Sequence, residues 1–183
     1  MKTLIVSYSF SGNNDLLASH LQKRLSSDLF RISERNKRNG FTIFFDILFN
    51  RTPEIRQFYH ARDVYEHHIL IGPVWAGRIA SPLKSFLLNE KSKIGQYSYV
   101  SVCGGASNQA NKLAASLASI AGHKPEKVLE LSIGELFKSR GQKGPVTGYK
   151  LTVDDLQFFE PVIDEFVDKL GTKKRAKSEV AHY

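Results

Sequence analysis

The chain has 183 residues, 42% of them hydrophobic and 24% charged, with a net charge of +8 and a sequence pI of about 9.6. That length supports one domain with a real core, and no apolar run approaches the roughly 18 residues that a membrane span needs. The single cysteine, Cys103, excludes an internal disulfide and suits a reducing cytoplasm. The basic residues are widely spread, and no helix-turn-helix, zinc finger or aromatic RNA-binding motif accompanies them, which argues against nucleic acid as a partner.

The apolar run Leu4-Ile5-Val6 is too short for a secretory leader and predicts a first strand over Thr3 to Tyr8. Leu17, Leu21 and Leu25 recur at helical spacing, so a helix covers about Asn14 to Leu25. A weaker strand spans Asp28 to Ser33, and a third, centred on Ile69-Leu70-Ile71, runs from Glu66 to Val74. Pro82 suits the first turn of a helix reaching Leu88. A fourth strand is expected over Gln96 to Val102. A helix follows from about Gln109 to Ala121, with Gly122 as its stop, and then a fifth strand from Lys127 to Leu131. Arg140 to Gly148, rich in glycine, reads as a loop. The last helix starts near Thr152, where Asp155 three residues on forms a capping box with Asp in place of Glu; Pro161 is a candidate kink.

Strand and helix thus alternate throughout, which predicts an α/β fold with a mostly parallel sheet covered on both faces. The expected domain is residues 1–171. Residues 172–183, with the cluster Lys173-Lys174-Arg175-Ala176-Lys177, are expected to be a flexible basic tail. Asn36 to Arg62 stands apart. Phe41-Thr42-Ile43-Phe44-Phe45-Asp46-Ile47-Leu48-Phe49 is too apolar for a solvated helix, and Arg35, Lys37, Arg38, Arg51, Arg56 and Arg62 surround it. It reads as a core-packed helix with basic ends; the sharper alternative is a subunit interface, which would make the chain a homo-oligomer, or a channel wall.

Three loops follow strands one, three and four and meet at one sheet edge. Ser9-Phe10-Ser11-Gly12-Asn13-Asn14 carries two hydroxyls, a glycine and two carboxamides, and no charge. A strand that turns straight into a helix through such residues aims backbone N–H groups and a helix N-terminus at one point, which suits a phosphate. The plainer reading is a polar turn capped by Ser11 or Asn13. The second loop, Gly72-Pro73-Val74-Trp75-Ala76-Gly77-Arg78-Ile79-Ala80-Ser81-Pro82, offers a large flat aromatic, and the third, Cys103-Gly104-Gly105-Ala106-Ser107-Asn108, is almost all small. Together they suit a planar ring with a phosphate tail.

At this point the sequence resembles the flavodoxin-like family of FMN proteins. That family's phosphate loop reads [ST]-x-[ST]-G-x-[ST]; here Asn14 replaces the last hydroxyl. The Gly-Pro-Val-Trp-Ala-Gly and Cys-Gly-Gly loops are similar to those of small flavodoxin-family flavoproteins, and the likeness covers about residues 1 to 170. It implies a three-layer α/β/α sandwich with five parallel strands ordered 2-1-3-4-5, and FMN at the switch point between strands one and three, as in flavodoxin itself. It implies that Ser9, Phe10, Ser11, Gly12, Asn13 and Asn14 hold the phosphate through hydroxyls, a carboxamide and N–H groups. Pro73, Val74, Trp75, Ala76 and Gly77 would flank the isoalloxazine, with a backbone group near N5. Cys103, Gly104, Gly105 and Asn108, with Ala106, would line its pyrimidine edge. A core Trp remains the plain alternative for Trp75. Arg78 is read either as a partner for an anionic flavin or acidic substrate, or as a solvated loop residue.

Other chemistries fail on pattern. Cys103 begins no Cys-x5-Arg phosphatase motif, since Gln109 stands where Arg is needed, and it reads as a small strand-end residue. His67 and His68 are adjacent and face opposite ways on a strand, while His20, His60, His123 and His182 are isolated, so no metal set forms. No Walker loop and no Gly-x-Ser-x-Gly elbow is present. The expected function is an FMN oxidoreductase that passes reducing equivalents from NAD(P)H to a quinone or similar small-molecule acceptor. A one-electron carrier between redox proteins and a flavin-free binding module on the same fold are the alternatives. Carriers of this family are typically acidic, unlike this chain.

Overall fold

The structure, a computed structural model, describes residues 2–34, 51–56, 65–105 and 108–180, the stretch 171–180 as backbone only. Most of the aromatic segment read as a core-packed helix, Phe41 to Phe49 included, lies outside the described residues, as do Ala106 and Ser107.

In chain order the elements are β1 (Thr3–Ser7), α1 (Asn13–Leu25), β2 (Asp28–Arg31), β3 (His67–Ile71), β4 (Val74–Trp75), β5 (Arg78–Ile79), α2 (Ser81–Glu90), a 3-10 turn (Lys91–Lys93), β6 (Gln96–Cys103), α3 (Ala110–Ala121), β7 (Val128–Ser132), α4 (Ile133–Ser139) and α5 (Val153–Val180). Five strands form a parallel sheet in the order β2-β1-β3-β6-β7. Leaving out the small β4–β5 hairpin, this is the 2-1-3-4-5 order expected. The chain leaves β1 toward one edge and returns on its other side as β3. The C-terminal ends of β1 and β3 therefore flank a switch point, where open α/β sheets bind ligands.

The central strands are buried on both faces, as parallel strands between helices must be. One face buries Leu4, Val6, Leu70, Tyr97 and Tyr99 with Leu83, Phe86 and Leu87 of α2 and Leu113 and Leu117 of α3. The other buries Ile5, Ile69, Ile71, Val100 and Val102 with Leu17 and Leu21 of α1 and Phe159, Ile163 and Phe166 of α5. The three layers follow directly.

Two differences from the sequence reading have local causes. The strand expected from Glu66 to Val74 is β3 alone, ending at Ile71. Pro73 has no N–H to continue the ladder, and the chain swings out into the β4–β5 hairpin. Ser132 starts a short helix the periodicity did not signal: its hydroxyl accepts the Glu135 N–H at 3.3 Å, a cap that the Ser-x-x-Glu spacing contained. Helix α5 runs continuously through Pro161 to Val180, so the backbone beyond Gly171 continues the helix. Its start is the expected box: the Asp155 N–H donates to Thr152 Oγ1 at 3.2 Å, and the Thr152 N–H donates to Asp155 Oδ2 at 2.8 Å.

Among the described residues, no helix is long and apolar enough to cross a membrane, and no group of three His, Cys, Asp or Glu side chains is arranged to hold a metal ion.

Candidate functional site

The first loop begins where the Tyr8 N–H pairs with the Ile71 carbonyl at 2.9 Å, the last ladder contact between β1 and β3. The chain then turns sharply. The Gly12 N–H donates to Ser9 Oγ at 3.0 Å, and Gly12 occupies the N-cap of α1 at φ +97°, a conformation an L side chain resists. Among the described residues, no side chain caps this helix. Its first-turn N–H groups are left for solvent or a ligand, with the positive end of the helix dipole behind them. Ser11 and Phe10 are exposed at the turn, Phe10 by 53%.

The two asparagines are placed otherwise than the sequence reading expected. Asn14 is 2% exposed and turned into the sheet: its Nδ2 donates to the Val102 carbonyl at 3.3 Å and its Oδ1 accepts the Val102 N–H at 2.9 Å. The reason lies in the register. β3 ends at Ile71 opposite Val100, so Val102, paired with Leu131 on its β7 side, has no strand on its β3 side, and the Asn14 carboxamide takes that strand's place. Asn13 is buried too, with its Nδ2 donating to the Tyr149 carbonyl at 2.8 Å and its Oδ1 accepting the Leu151 N–H at 2.9 Å. What the loop presents outward is backbone N–H, the two serines and Phe10.

The second loop is a two-residue hairpin. Ala76 and Gly77 both have positive φ, +48° and +73°, as a type I′ turn requires. A Cβ on Gly77 would lie 3.1 Å from both Gln109 Oε1 and Lys112 Nζ, so the turn is packed against the start of α3. Trp75, half-buried, meets Tyr8 and Phe10 edge to face, with ring centroids 5.8 and 6.4 Å away. The aromatic of the second loop therefore touches the first loop. Val74 packs on the α2–α3 side of the core, and the Pro73 carbonyl accepts the Ala80 N–H at 3.2 Å and the Tyr99 hydroxyl at 3.3 Å. Arg78 is exposed; burial, and after it the charge of Arg78, holds the Lys84 ammonium below its usual pKa.

The third loop leaves β6 through Cys103, a residue 7% exposed. Burial, then the charges of Glu130 and Glu135, pushes its pKa up to about 11, which makes it a poor nucleophile. The Ser132 hydroxyl donates to the Gly105 carbonyl at 3.2 Å, and Asn108 is exposed with φ +87°. A Cβ on Gly104 would meet Val146 Cγ2 at 3.4 Å.

That contact brings in a segment whose glycine content predicts only a loop. Residues 140–150 come back to the same sheet edge, with Val146 beside Gly104 and Tyr149 on Asn13. Behind them Asp155, 2% exposed, accepts the Tyr149 hydroxyl at 3.0 Å and the Arg140 guanidinium at 2.5 Å. Burial by itself raises the Asp155 pKa, but the hydrogen bonds from Thr152, Arg140 and Tyr149 outweigh it and hold the carboxyl below its usual range. Glycine-rich spacing gave no hint of this role, because the partners of Tyr149 and Leu151 sit on α1.

No protein-family model matches the chain, and no curated protein matches it. Solved structures do. A flavoprotein from Lactobacillus acidophilus NCFM, crystallised in complex with FMN, superposes with a TM-score of 0.61 at 22% identity, covering 75% of this chain and 97% of that one. The apo-form of the flavoprotein from the same organism, determined by NMR, gives 0.57 at 21% identity over 78% and 97%. A protein of Bacteroides eggerthii DSM 20697, provisionally described as a flavoprotein, gives 0.62 at 14% identity over 78% and 99%. Together with the β2-β1-β3-β6-β7 parallel sheet between two helical layers, these similarities establish that the chain has the flavodoxin-like fold.

Proposed function

We propose that the chain binds FMN at the C-terminal ends of β1, β3 and β6 and works as a flavin-dependent oxidoreductase. One observation carries the reading: the N-terminus of α1 has no side-chain cap and opens at the switch point, beside a half-buried tryptophan. A helix end without a cap is a standing site for an anion. The residues present fit the phosphate of FMN. Backbone N–H groups and the Ser9 and Ser11 hydroxyls are the donors, and no lysine or arginine lies in the loop. Hydrogen bonds to a charged group contribute about 1.5–3 kcal/mol each, so several of them suffice without a cation. The solved relative crystallised with FMN supports the same ligand.

When bound, FMN supplies hydride and single-electron transfer at its ring. The chain would do the rest. Trp75 and Phe10 would bound the ring on the phosphate-loop side, the Ala76–Gly77 turn would offer backbone groups to its edge, and Gly104 and Gly105 would allow close approach opposite. The buried Cys103 thiol, with its pKa pushed up, fits chemistry that belongs to the cofactor. NAD(P)H as donor and a quinone or similar small molecule as acceptor are our reading of the turnover. The net charge of +8 favours it over carrier duty between the basic partners that acidic carriers use.

Trp75 is the only tryptophan, so the test is direct. Titrating apoprotein with FMN quenches its fluorescence, and riboflavin, which lacks the phosphate, binds at least about a hundredfold more weakly. Equal affinity for both ligands refutes the phosphate site. Rapid NAD(P)H oxidation with a quinone supports the enzyme, and reducible flavin without such turnover supports the carrier.

A further inference from the structure

We propose that residues 140–150 form a further wall of the FMN site, on its phosphate side, and that Asp155 is the positioning residue that holds this wall in place. The inference rests on the FMN reading above. It starts from an exposed, glycine-rich segment: Gly141, Gly144 and Gly148 all have positive φ, and of residues 140–150 only Val146 and Tyr149, with the edge at Leu151, are withdrawn from solvent. Such a stretch keeps no conformation by its own propensity, because glycine gives up the most freedom on ordering. It is nonetheless fastened at both ends.

One fastening is to the phosphate loop. The Asn13 carboxamide is bonded at both of its ends, to the Tyr149 carbonyl and the Leu151 N–H, as a neighbouring strand would be. Asn13 is also the first residue of α1, so whatever fixes its side chain fixes the direction of the helix end that receives the phosphate. The second fastening is to Asp155. Its carboxylate sits one turn into α5 and gathers the Thr152 N–H, the Tyr149 hydroxyl and the Arg140 guanidinium, which are the two ends of the segment and the start of the helix behind it. Tyr149 is braced further by Phe137, edge to face at 4.9 Å. Among the described residues, the hydrogen bonds of Asp155 go to Arg140, Tyr149 and Thr152, not to the three loops. Its influence on the site passes from Tyr149 to Asn13 and so to the N-terminus of α1.

The arrangement gives the site a phosphate-side boundary that the three loops do not supply. It also ties phosphate affinity to the order of residues 140–150. A loosened segment would leave Asn13 free to rotate and the first-turn N–H groups poorly aimed. Of the ring-facing elements, Trp75 and the Ala76–Gly77 turn would be untouched, and Gly104 meets the segment only through Val146.

The test compares wild type with Asp155→Asn, which keeps the side chain's size and removes the charge that Arg140 pairs with, and with Arg140→Gln, a change at a partly exposed position that preserves the fold if Asp155→Asn does not. Hydrogen exchange on the apoprotein reads the segment, and titration with FMN and riboflavin reads the site. We expect amides of residues 141–151 to exchange at least about tenfold faster, with sheet amides unchanged, and FMN to bind about tenfold more weakly while riboflavin affinity stays within about twofold. A variant that only lowers global stability would weaken both ligands alike and speed exchange throughout, which would overturn the proposal. Unchanged exchange in 141–151 would overturn it as well, as would faster exchange with undiminished FMN affinity. If wild-type protein binds no FMN, the cofactor reading and the wall fall together, and the exchange data still decide whether Asp155 holds the segment.

Discussion

Asn14→Ala separates two roles for one residue, since the phosphate-loop pattern makes Asn14 a ligand group and the structure makes it a stand-in for a missing strand. The side chain is 2% exposed and makes two hydrogen bonds to the backbone of Val102, itself 4% exposed. Each bond contributes about 1 kcal/mol, and each buried backbone group left without a partner costs about 1–3 kcal/mol. Water reaching the space left by the carboxamide would recover part of this, so a net loss of about 2–4 kcal/mol is expected. For a chain of this size 1 kcal/mol is about 2–4 °C, giving a fall in Tm of roughly 5–15 °C. The assay is thermal unfolding of the apoprotein, with Ser11→Ala as the control. Ser11 is exposed, so its truncation should move the apo Tm by less than about 2 °C while weakening FMN binding. An Asn14→Ala apoprotein with an unchanged Tm but reduced FMN affinity would refute the reasoning and return Asn14 to the ligand.

Two further predictions follow from buried titratable groups. His68 is 5% exposed beside Tyr65, and burial, helped by the charge of His67, lowers its pKa from 6.5 to about 4. Between those values the unfolded chain takes a proton that the native chain refuses. Stability is therefore full above pH 6.5 and declines as the pH falls toward 4, by up to roughly 3 kcal/mol. Urea unfolding at pH 7.5 and 4.5 measures this, and His68→Phe should flatten that window; an undiminished slope in the variant would assign the acid sensitivity elsewhere. Cys103, with its pKa near 11 against the usual 9.0, carries about a hundredfold less thiolate than an ordinary cysteine at pH 8. Iodoacetamide should label it slowly in the native protein and quickly in urea, and fast native labelling would contradict its burial.

Much of the architecture was legible because its causes are local in sequence. The Thr152 and Asp155 cap lies within one helical turn, so the spacing announced it. The apolar runs of β1, β3 and β6, separated by helical periodicity, dictated a parallel sheet with both faces covered, and the loops at their ends necessarily shared an edge. Gly12 and the serines could be read as a turn into a helix for the same reason. The β4–β5 hairpin was missed, although Ala76-Gly77 is compatible with it, because the apolar run across Pro73 resembles a continuing strand.

Sequence by itself determined the layers, the sheet edge at which the three loops gather and the absence of charge in the first of them. These depend on periodicity and on residue type, which neighbours in the chain reveal. Only the tertiary structure decided what Asn13 and Asn14 bond to and that residues 140–150 return to the same sheet edge. Their partners lie 136, 138 and 88 residues away, and a hydrogen bond between such distant groups exists only once the strands have fixed where each one ends.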